Sequence, residues 1–448
     1  MITAYLILSS ILLFFLAVPL LLLHSLGRKP KLNLPPGPPR LPFIGNLHQL
    51  GKTPHRSLLR LANKYGPLMY LKLGGVPTLV VSNAAMAEEI YRSHDAVFCS
   101  RPTTAVTKRL SYGGHGVAFA SYGEGWRQLR KISMLELYTT KRVQSFRAIR
   151  EEEVRILVKT ISETCAGDQQ PNISDMAFCL FNNIICRQAF GRRCSKDGEC
   201  RRSKFHDQLR ESSELLAAFC PSDFFPSMGW LDWLTGFHGH LEKAFTFFDD
   251  LLEEEIEDHL KRDNEEDRDF MSALLRLQKD TSLGFTLTRE QIKTVLLEIF
   301  LGGSDTSASV IEFGMLELAL NPRSMKDVKV RGYDIPEKTM VMTNIWAIMR
   351  DPTFWKDPEV SWPERFEHSD LQYKGRDFQY VPILSGRRIC PGMNLAVTSV
   401  ELTLANLLHC FKWELPDGMK AEDVDMSETV GLLFHLKTPL QLKATPAF

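Results

Sequence analysis

Apolar residues run along this chain in one unbroken stretch and then at two distinct spacings. From Met1 to Leu23 there is no charged residue, and the run AYLILSSILLFFLAVPLLLL is almost wholly apolar. At a rise of about 1.5 Å per residue it is long enough to cross a hydrocarbon layer of roughly 30 Å. It lacks the basic start and the small-x-small site of a cleaved signal, and basic residues follow it at Arg28, Lys29 and Lys31. The pattern predicts an anchor over residues 1–24 with the rest of the chain on the cytosolic side. Between residues 67 and 82, PLMYLKLGG and PTLVVS read as short strands joined through Gly74 and Gly75, a hairpin. From about residue 84 the apolar positions fall mostly at helical spacing, as at Phe245, Phe248, Leu252, Ile256 and Leu260. The longest helix is predicted from Thr288, which with Gln291 fits a capping box, through Ile292, Val295, Leu296 and Ile299 to a stop at Asn321-Pro322. That is roughly 48 Å of helix, enough to cross a domain. The fold class expected is mainly α with a small β portion, behind one transmembrane helix.

Composition narrows the picture. With 44% of residues hydrophobic and 24% charged, the chain is globular rather than disordered. No low-complexity tract divides it after residue 40, so residues 41–448 read as one domain. Residues 25–40 form a basic and proline-rich hinge, in which Leu34-Pro35-Pro36-Gly37-Pro38-Pro39 favours a stiff extended connector. Basic and acidic residues balance at 54 each, which leaves no electrostatic footprint for nucleic acid. The charge run KRDNEEDR at 261–268 reads as a solvated connection. The nine cysteines are odd in number and form no C-x-x-C pair, which argues against a zinc site or disulfide framework. Most read as small buried hydrophobes.

Two segments carry candidate chemistry. In the middle of the long helix stands Leu301-Gly302-Gly303-Ser304-Asp305-Thr306-Ser307, where two glycines each cost about 1 kcal/mol relative to alanine. They mark either a kink or tight helix crossing, or a helix face shaved flat for a planar cofactor and a small gas molecule. In the second case Asp305 and Thr306 stand where a proton must be delivered. Near the C-terminus, Val381-Pro382-Ile383-Leu384-Ser385-Gly386-Arg387-Arg388-Ile389-Cys390-Pro391-Gly392 precedes the apolar-periodic stretch MNLAVTSVELTLANLLHCF. Cys390 thus lies just before a helix, with Pro391 suited to open it. A helix N-terminus and nearby guanidinium groups favour the thiolate, a soft ligand suited to haem iron. Spacing alone equally allows a buried structural cysteine.

The pattern G-x-R-x-C-x-G at Gly386, Arg388, Cys390 and Gly392 resembles the cysteine loop of the cytochrome P-450 family. Four more elements occur in that family's order: the hinge PPGPP, the W-x-x-x-R helix at Trp126 and Arg130, the oxygen groove from Gly302 to Thr306, and Pro363-Glu364-Arg365-Phe366. Hinge, groove and the last element are similar in style to plant microsomal members. The resemblance implies a haem-thiolate monooxygenase of the endoplasmic reticulum membrane, acting on a small lipophilic, plant secondary metabolite. Cys390 would be the axial ligand, and Arg130 and Arg388 would pair with the haem propionates. Trp126 would serve the same edge through its indole N–H. Thr306 with Asp305 would steer protons, while Gly302 and Gly303 make room. Electrons would come from NADPH through a flavoprotein reductase docked on the cysteine side, with Lys131, Arg127 and Arg387 as candidate contacts. Phe219, Phe224, Leu432 and Leu433 suggest an apolar guest.

The chain departs from the family in two places. The Glu-x-x-Arg pair expected between the oxygen groove and Pro363 is absent: three residues beyond Glu312, Glu317, Glu337 and Glu359 stand Met315, Leu320, Met340 and Trp362. The match runs to Met325 and resumes at Lys326, as though a block several tens of residues long were missing at 325–326. Arg365 would then lack its usual partners and must reach solvent or another acid. In the cysteine loop, Ile383 and Leu384 stand where Phe and Gly are usual, and Leu384 is poorly suited to a positive φ. Two readings follow: a working monooxygenase, or a shortened, haem-poor product without catalysis. The sequon Asn172-Ile173-Ser174 is expected to stay unglycosylated on the cytosolic side.

Overall fold

The computed structural model describes residues 32–167, 169–193, 204–262, 269–280, 285–320, 339–359, 363–366, 369–416, 418–420, 423–430 and 433–447. The anchor at 1–24, the junction at 325–326, most of the charge run at 261–268 and Leu432 lie outside these residues. The hairpin forms where the alternation placed it. Strand β1 (Leu68–Leu73) pairs antiparallel with β2 (Val76–Val81), turning through Gly74 at φ 60. The proline hinge does not stand free of it. Tyr70 donates its N–H to the Pro36 carbonyl at 3.0 Å, and a Cβ on Gly37 would fall 2.2 Å from the Tyr70 oxygen. The extended φ of the prolines lets the hinge lie along β1.

The long helix runs Arg289–Leu320. Its start is the expected capping box: the Thr288 N–H donates to Gln291 Oε1 at 2.9 Å and the Gln291 N–H donates to Thr288 Oγ1 at 3.1 Å. Among the described residues its span Arg289–Leu316 is long and apolar enough to cross a membrane, but 72% of its apolar window is buried inside the protein. It is therefore the core helix. It packs along the helix Ile173–Phe190, with the C-terminal helix Met393–Cys410 also against it. The helix Phe237–Lys261 buries Phe245, Phe248, Leu252 and Ile256, while Leu260 turns outward.

The β portion is larger than the hairpin. Strand β3 (Met340–Thr343) joins β2 in parallel, Thr78 opposite Met340. Two further pairs close the C-terminal end: β4 (Phe411–Glu414) with β7 (Lys443–Pro446), and β5 (Glu428–Val430) with β6 (Phe434–Leu436). These strands were not predicted, because runs of three or four residues carry too little alternation to be read from sequence.

Candidate active site

The cysteine loop is a short turn, Gly386–Arg388, hung between the residue 375 region and the C-terminal helix. The Cys390 N–H donates to the Ile383 carbonyl at 3.2 Å, and Ser385 Oγ donates to the Gly375 carbonyl at 2.6 Å. The turn requires two left-handed residues. Gly386 takes φ 68, where a Cβ would also fall 2.7 Å from Asp95 Oδ1; Leu384 takes φ 62 with no such freedom. Gly392 is under no comparable constraint, since a Cβ there would meet Tyr138 and Cys390 Sγ only at 3.8 and 4.0 Å.

The loop is braced by the first third of the chain. Arg387 pairs with Asp95 at 3.2 Å, and Arg130 donates to the Ile389 carbonyl at 2.6 Å. Arg388 is buried and donates to the carbonyls of Cys99, Val117 and Ala120 at 2.5, 3.1 and 2.5 Å. Cys390 is exposed, yet burial is the leading influence on its thiol. Both hold for a group that opens onto a space enclosed by protein. Burial pushes the thiol pKa up, against the backbone N–H groups of Gly392 and Met393 and the charge of Arg130. The thiolate-favouring influences expected from the helix start are thus present but outweighed; a bound metal would reverse that balance.

Three guanidinium groups lie within electrostatic reach of one another beside the loop: Arg130, which acts on the Cys390 thiol, Arg388, and Arg101, which acts on Arg388. Burial lowers the pKa of each, that of Arg388 to about 10, with Arg101 and Arg130 adding repulsion. Among the described residues none of the three has a carboxylate within ion-pair distance. A cationic cluster held out of water in this way fits a dianionic guest, which is what the two propionates of haem present. Trp126 corrects an expectation. Its indole N–H donates to the Val117 carbonyl at 2.9 Å, and its contribution to the edge is its ring, 4.2 Å from the Arg388 guanidinium.

The core helix supplies the facing wall. Gly302 and Val310 are exposed and Thr306 half-buried, whereas Leu301, Ser304, Asp305, Ser307 and Ala308 are buried. The open positions repeat every fourth residue and so share one face. Glu298, one turn earlier, ties that face to the cysteine side: Tyr138 lies within electrostatic reach of both Cys390 and Glu298. The two glycines divide the roles left open by the sequence. Gly302 has nothing within 4 Å of where a Cβ would sit, while a Cβ on Gly303 would stand 2.8 Å from Ile185 Cδ1. Gly302 thus leaves space, and Gly303, expected to do the same, serves a tight helix crossing. Thr306 donates its hydroxyl to the Gly302 carbonyl at 2.6 Å. Asp305 does not join it on the open face; its Oδ1 lies 3.1 Å from His435 Nε2 on the other side of the helix.

Arg101, Glu298 and His435 were not found from sequence. Glu298 accepts the N–H groups of Val117 and Ala118 at 2.7 and 3.0 Å, and burial raises its pKa to about 7. The spacing 298, 302, 306 was the signal available for it. For His435, 130 residues from Asp305, no local signal exists. Of the candidate reductase contacts, Arg127 and Lys131 flank Arg130 and Met134 around a hollow of about 440 Å³ that Arg387 also lines. Arg127 is paired with Glu124.

A family description, cytochrome P-450, matches residues 35–326 and 323–444 in two stretches that meet at the junction noted in the sequence. Cytochrome P-450 71A9 of Glycine max is 42% identical over 469 residues, covering 92% of this chain and 93% of its own length. Strychnine-11-hydroxylase of Strychnos nux-vomica is 40% identical, with 92% of each chain covered. Phenylacetaldehyde oxime monooxygenase of Prunus mume is 39% identical, covering 93% of this chain and 90% of its own. With the cysteine loop, its guanidinium cluster and the facing helix on one side and these likenesses on the other, the chain belongs to the cytochrome P-450 family and is a monooxygenase by kinship.

Proposed function

We propose that the protein is a membrane-anchored haem-thiolate monooxygenase that inserts one oxygen atom of O2 into a small lipophilic plant secondary metabolite. NADPH would supply the electrons through a flavoprotein reductase. The observation that carries this reading is the conjunction of an accessible Cys390 with a buried Arg388 and half-buried Arg101 and Arg130, none of which has, among the described residues, a carboxylate within ion-pair distance. When bound, haem supplies the redox chemistry that activates oxygen. The chain's own residues do the rest. Cys390 Sγ would ligate the iron, while Arg101, Arg130 and Arg388 would hold the acidic edge. Gly302 leaves space at the helix face, and Thr306 Oγ1 presents a hydroxyl there for proton transfer. Two relatives bear the names of small organic substrates, strychnine and phenylacetaldehyde oxime, in line with a guest of that size.

A membrane location is supported by an apolar surface. Trp230, Trp233 and Leu234 are exposed by 57, 69 and 74%, and Phe43 by 89%. The segments are linked through the hairpin turn: the Gly75 N–H donates to the Phe224 carbonyl at 2.7 Å and the Gly74 N–H to the Ile44 carbonyl at 3.1 Å. A surface of this kind marks a membrane or partner contact. We place it against the endoplasmic reticulum membrane, continuous with the anchor at 1–24.

The test is a reduced, carbon-monoxide difference spectrum of the full chain expressed in membranes. A thiolate-type spectrum is expected, abolished in Cys390→Ala and retained in Cys410→Ala. Absence of the spectrum in the unmodified chain, with the protein folded, would return the haem-poor reading to first place. Equal loss in both variants would show misfolding rather than lost ligation.

A further inference from the structure

One peptide unit stands between the core helix and the cysteine loop. The peptide joining Val117 to Ala118 donates its N–H, that of Ala118, to Glu298 Oε1 at 3.0 Å, and offers its carbonyl, that of Val117, to Arg388 Nη1 at 3.1 Å. In a trans peptide these two groups point opposite ways. A carboxylate and a guanidinium therefore sit at the two ends of one dipole, each at the end that attracts it. The Val117 N–H donates to Glu298 Oε2 at 2.7 Å, and the Phe119 N–H acts on the same carboxylate. Gly116 makes the approach possible, since a Cβ there would overlap Glu298 Oε1. Glu298 is half-buried and stands one turn before Gly302, on the face shared with Thr306 and Val310. At the other end, Arg388 Nε and Nη2 donate to the carbonyls of Cys99 and Ala120, both at 2.5 Å. Backbone carbonyls thus take three of the five N–H groups of Arg388 and leave two for a guest.

We propose that Glu298 is a positioning residue for the cofactor: through the peptide between Val117 and Ala118 it fixes the guanidinium of Arg388, and with it the grip of the chain on the acidic edge of haem. The inference rests on the monooxygenase reading. Its physical basis is that hydrogen bonds in series strengthen one another. A carboxylate accepting the Ala118 N–H makes the Val117 carbonyl a stronger acceptor for Arg388, and charge assists the bond at each end. A planar fork already held in one orientation loses less freedom on binding a carboxylate than a mobile one does. Glu298 also offsets, at Arg388, the repulsion from Arg101 and Arg130. The same charge repels an acidic guest, so positioning and repulsion predict opposite signs when Glu298 is neutralised. The charged and titratable groups facing Glu298 are Arg388 and Tyr138, while exposed His115 beside Gly116 lies 3.9 Å from exposed Glu290. Burial raises the pKa of Glu298 to about 7, against the backbone N–H groups and Arg388, and the carboxylate that polarises the peptide is the form present above that value.

The experiment follows the transfer of haem from the full chain in membranes to an excess of apomyoglobin, at pH values on both sides of 7. The carbon-monoxide spectrum and the thermal midpoint are read beside it. In wild type the loss of haem should slow as pH rises through about 7. Glu298→Gln should keep the thiolate spectrum but lose haem about ten-fold faster at the upper pH, the scale of one charge-assisted hydrogen bond, and without the pH dependence. In an Arg388→Lys background the same change should add little, because the peptide no longer has a fork to hold. An unchanged rate with a lowered thermal midpoint would make Glu298 structural only and overturn the proposal. So would an equal acceleration in the Arg388→Lys background, or a slower loss, which would make repulsion of the acidic edge the larger effect. If Glu298→Gln does not fold, Arg388→Lys decides: disappearance of the wild-type pH dependence supports the coupling, and its persistence overturns it. No spectrum in wild type would sink the monooxygenase reading itself, and this inference with it.

Discussion

Leu384 shows how much one residue of the cysteine loop is asked to do. Its φ of 62 is a conformation that costs an L-residue roughly 1–2 kcal/mol, and the next residue but one, Gly386, adopts φ 68 without that cost. The Leu384 carbonyl also lies 2.9 Å from where a Cβ on Gly375 would sit, so only glycine fits opposite the turn at 375. Leu384→Gly is therefore expected to stabilise the chain by about 1 kcal/mol, the backbone relief exceeding the lost partial burial. Chemical denaturation measures it, and a lowered midpoint would show that the leucine side chain matters more than its backbone. The unfavourable φ at this position was visible in the sequence as a Leu in place of Gly. The opposing fact, that Asp95, Arg130 and the carbonyls of Cys99, Val117 and Ala120 hold the loop from outside, was not. Those contacts join residues more than 250 positions apart.

At the scale of elements, the core helix was the most legible part of the chain. Its capping box and its apolar period are local signals, and the helix begins within a residue of where they place it; the expected stop at Asn321-Pro322 lies outside the described residues. Thr288→Ala should cost about 1 kcal/mol, seen as faster hydrogen exchange confined to the first turn. Exchange that quickens equally along the whole helix would mean that the cap serves global stability instead. What was not legible is how the helix divides its sides. The pair Gly302-Gly303 admitted a crossing or an open face, and packing against Ile185 assigned one glycine to each. Asp305 and Thr306, adjacent in sequence, turn to opposite partners because successive helical residues point about 100° apart. The short strands β3 to β7 were equally hidden, since their partners, not their composition, make them strands.

For the molecule as a whole, the junction at 325–326 is the expected point of departure from the family. The family match divides there, and the alignment to the Glycine max relative takes 469 positions to span 92% of 448 residues. Arg365 sits half-buried with its guanidinium 5.9 Å from the Trp355 ring, and the charge of Asp357 acts against the lowering of its pKa by burial. Inserting a family-type Glu-x-x-Arg helix between Met325 and Lys326 is expected to raise the haem content and the thermal midpoint of the purified chain. Equal haem content with and without the insert would show that the bracing from Asp95 and Arg130 suffices. The topology has its own test. Asn172 caps the helix Ile173–Phe190 and the Ser174 hydroxyl is committed to Glu312, with the Leu440 N–H donated to it at 2.8 Å. Together with cytosolic exposure this predicts no glycan at Asn172. A mobility shift on glycosidase treatment would count against both.

The sequence by itself determined the mainly helical class, the hairpin, the long helix with its capped start, and the loop that holds Cys390. Each rests on residues close together in the chain: a period, a cap, a proline, a run of glycine and arginine. Membership of a family was legible for the same reason, since its motifs are local. Only the tertiary structure decided which groups surround the cysteine. Arg101 joins Arg130 and Arg388 because burial brings distant segments together. His435 reaches Asp305 because β6 lies against the core helix. Hydrophobic burial assembles such contacts without regard to sequence separation, so the charges that tune this site are a property of the packed molecule rather than of any segment in it.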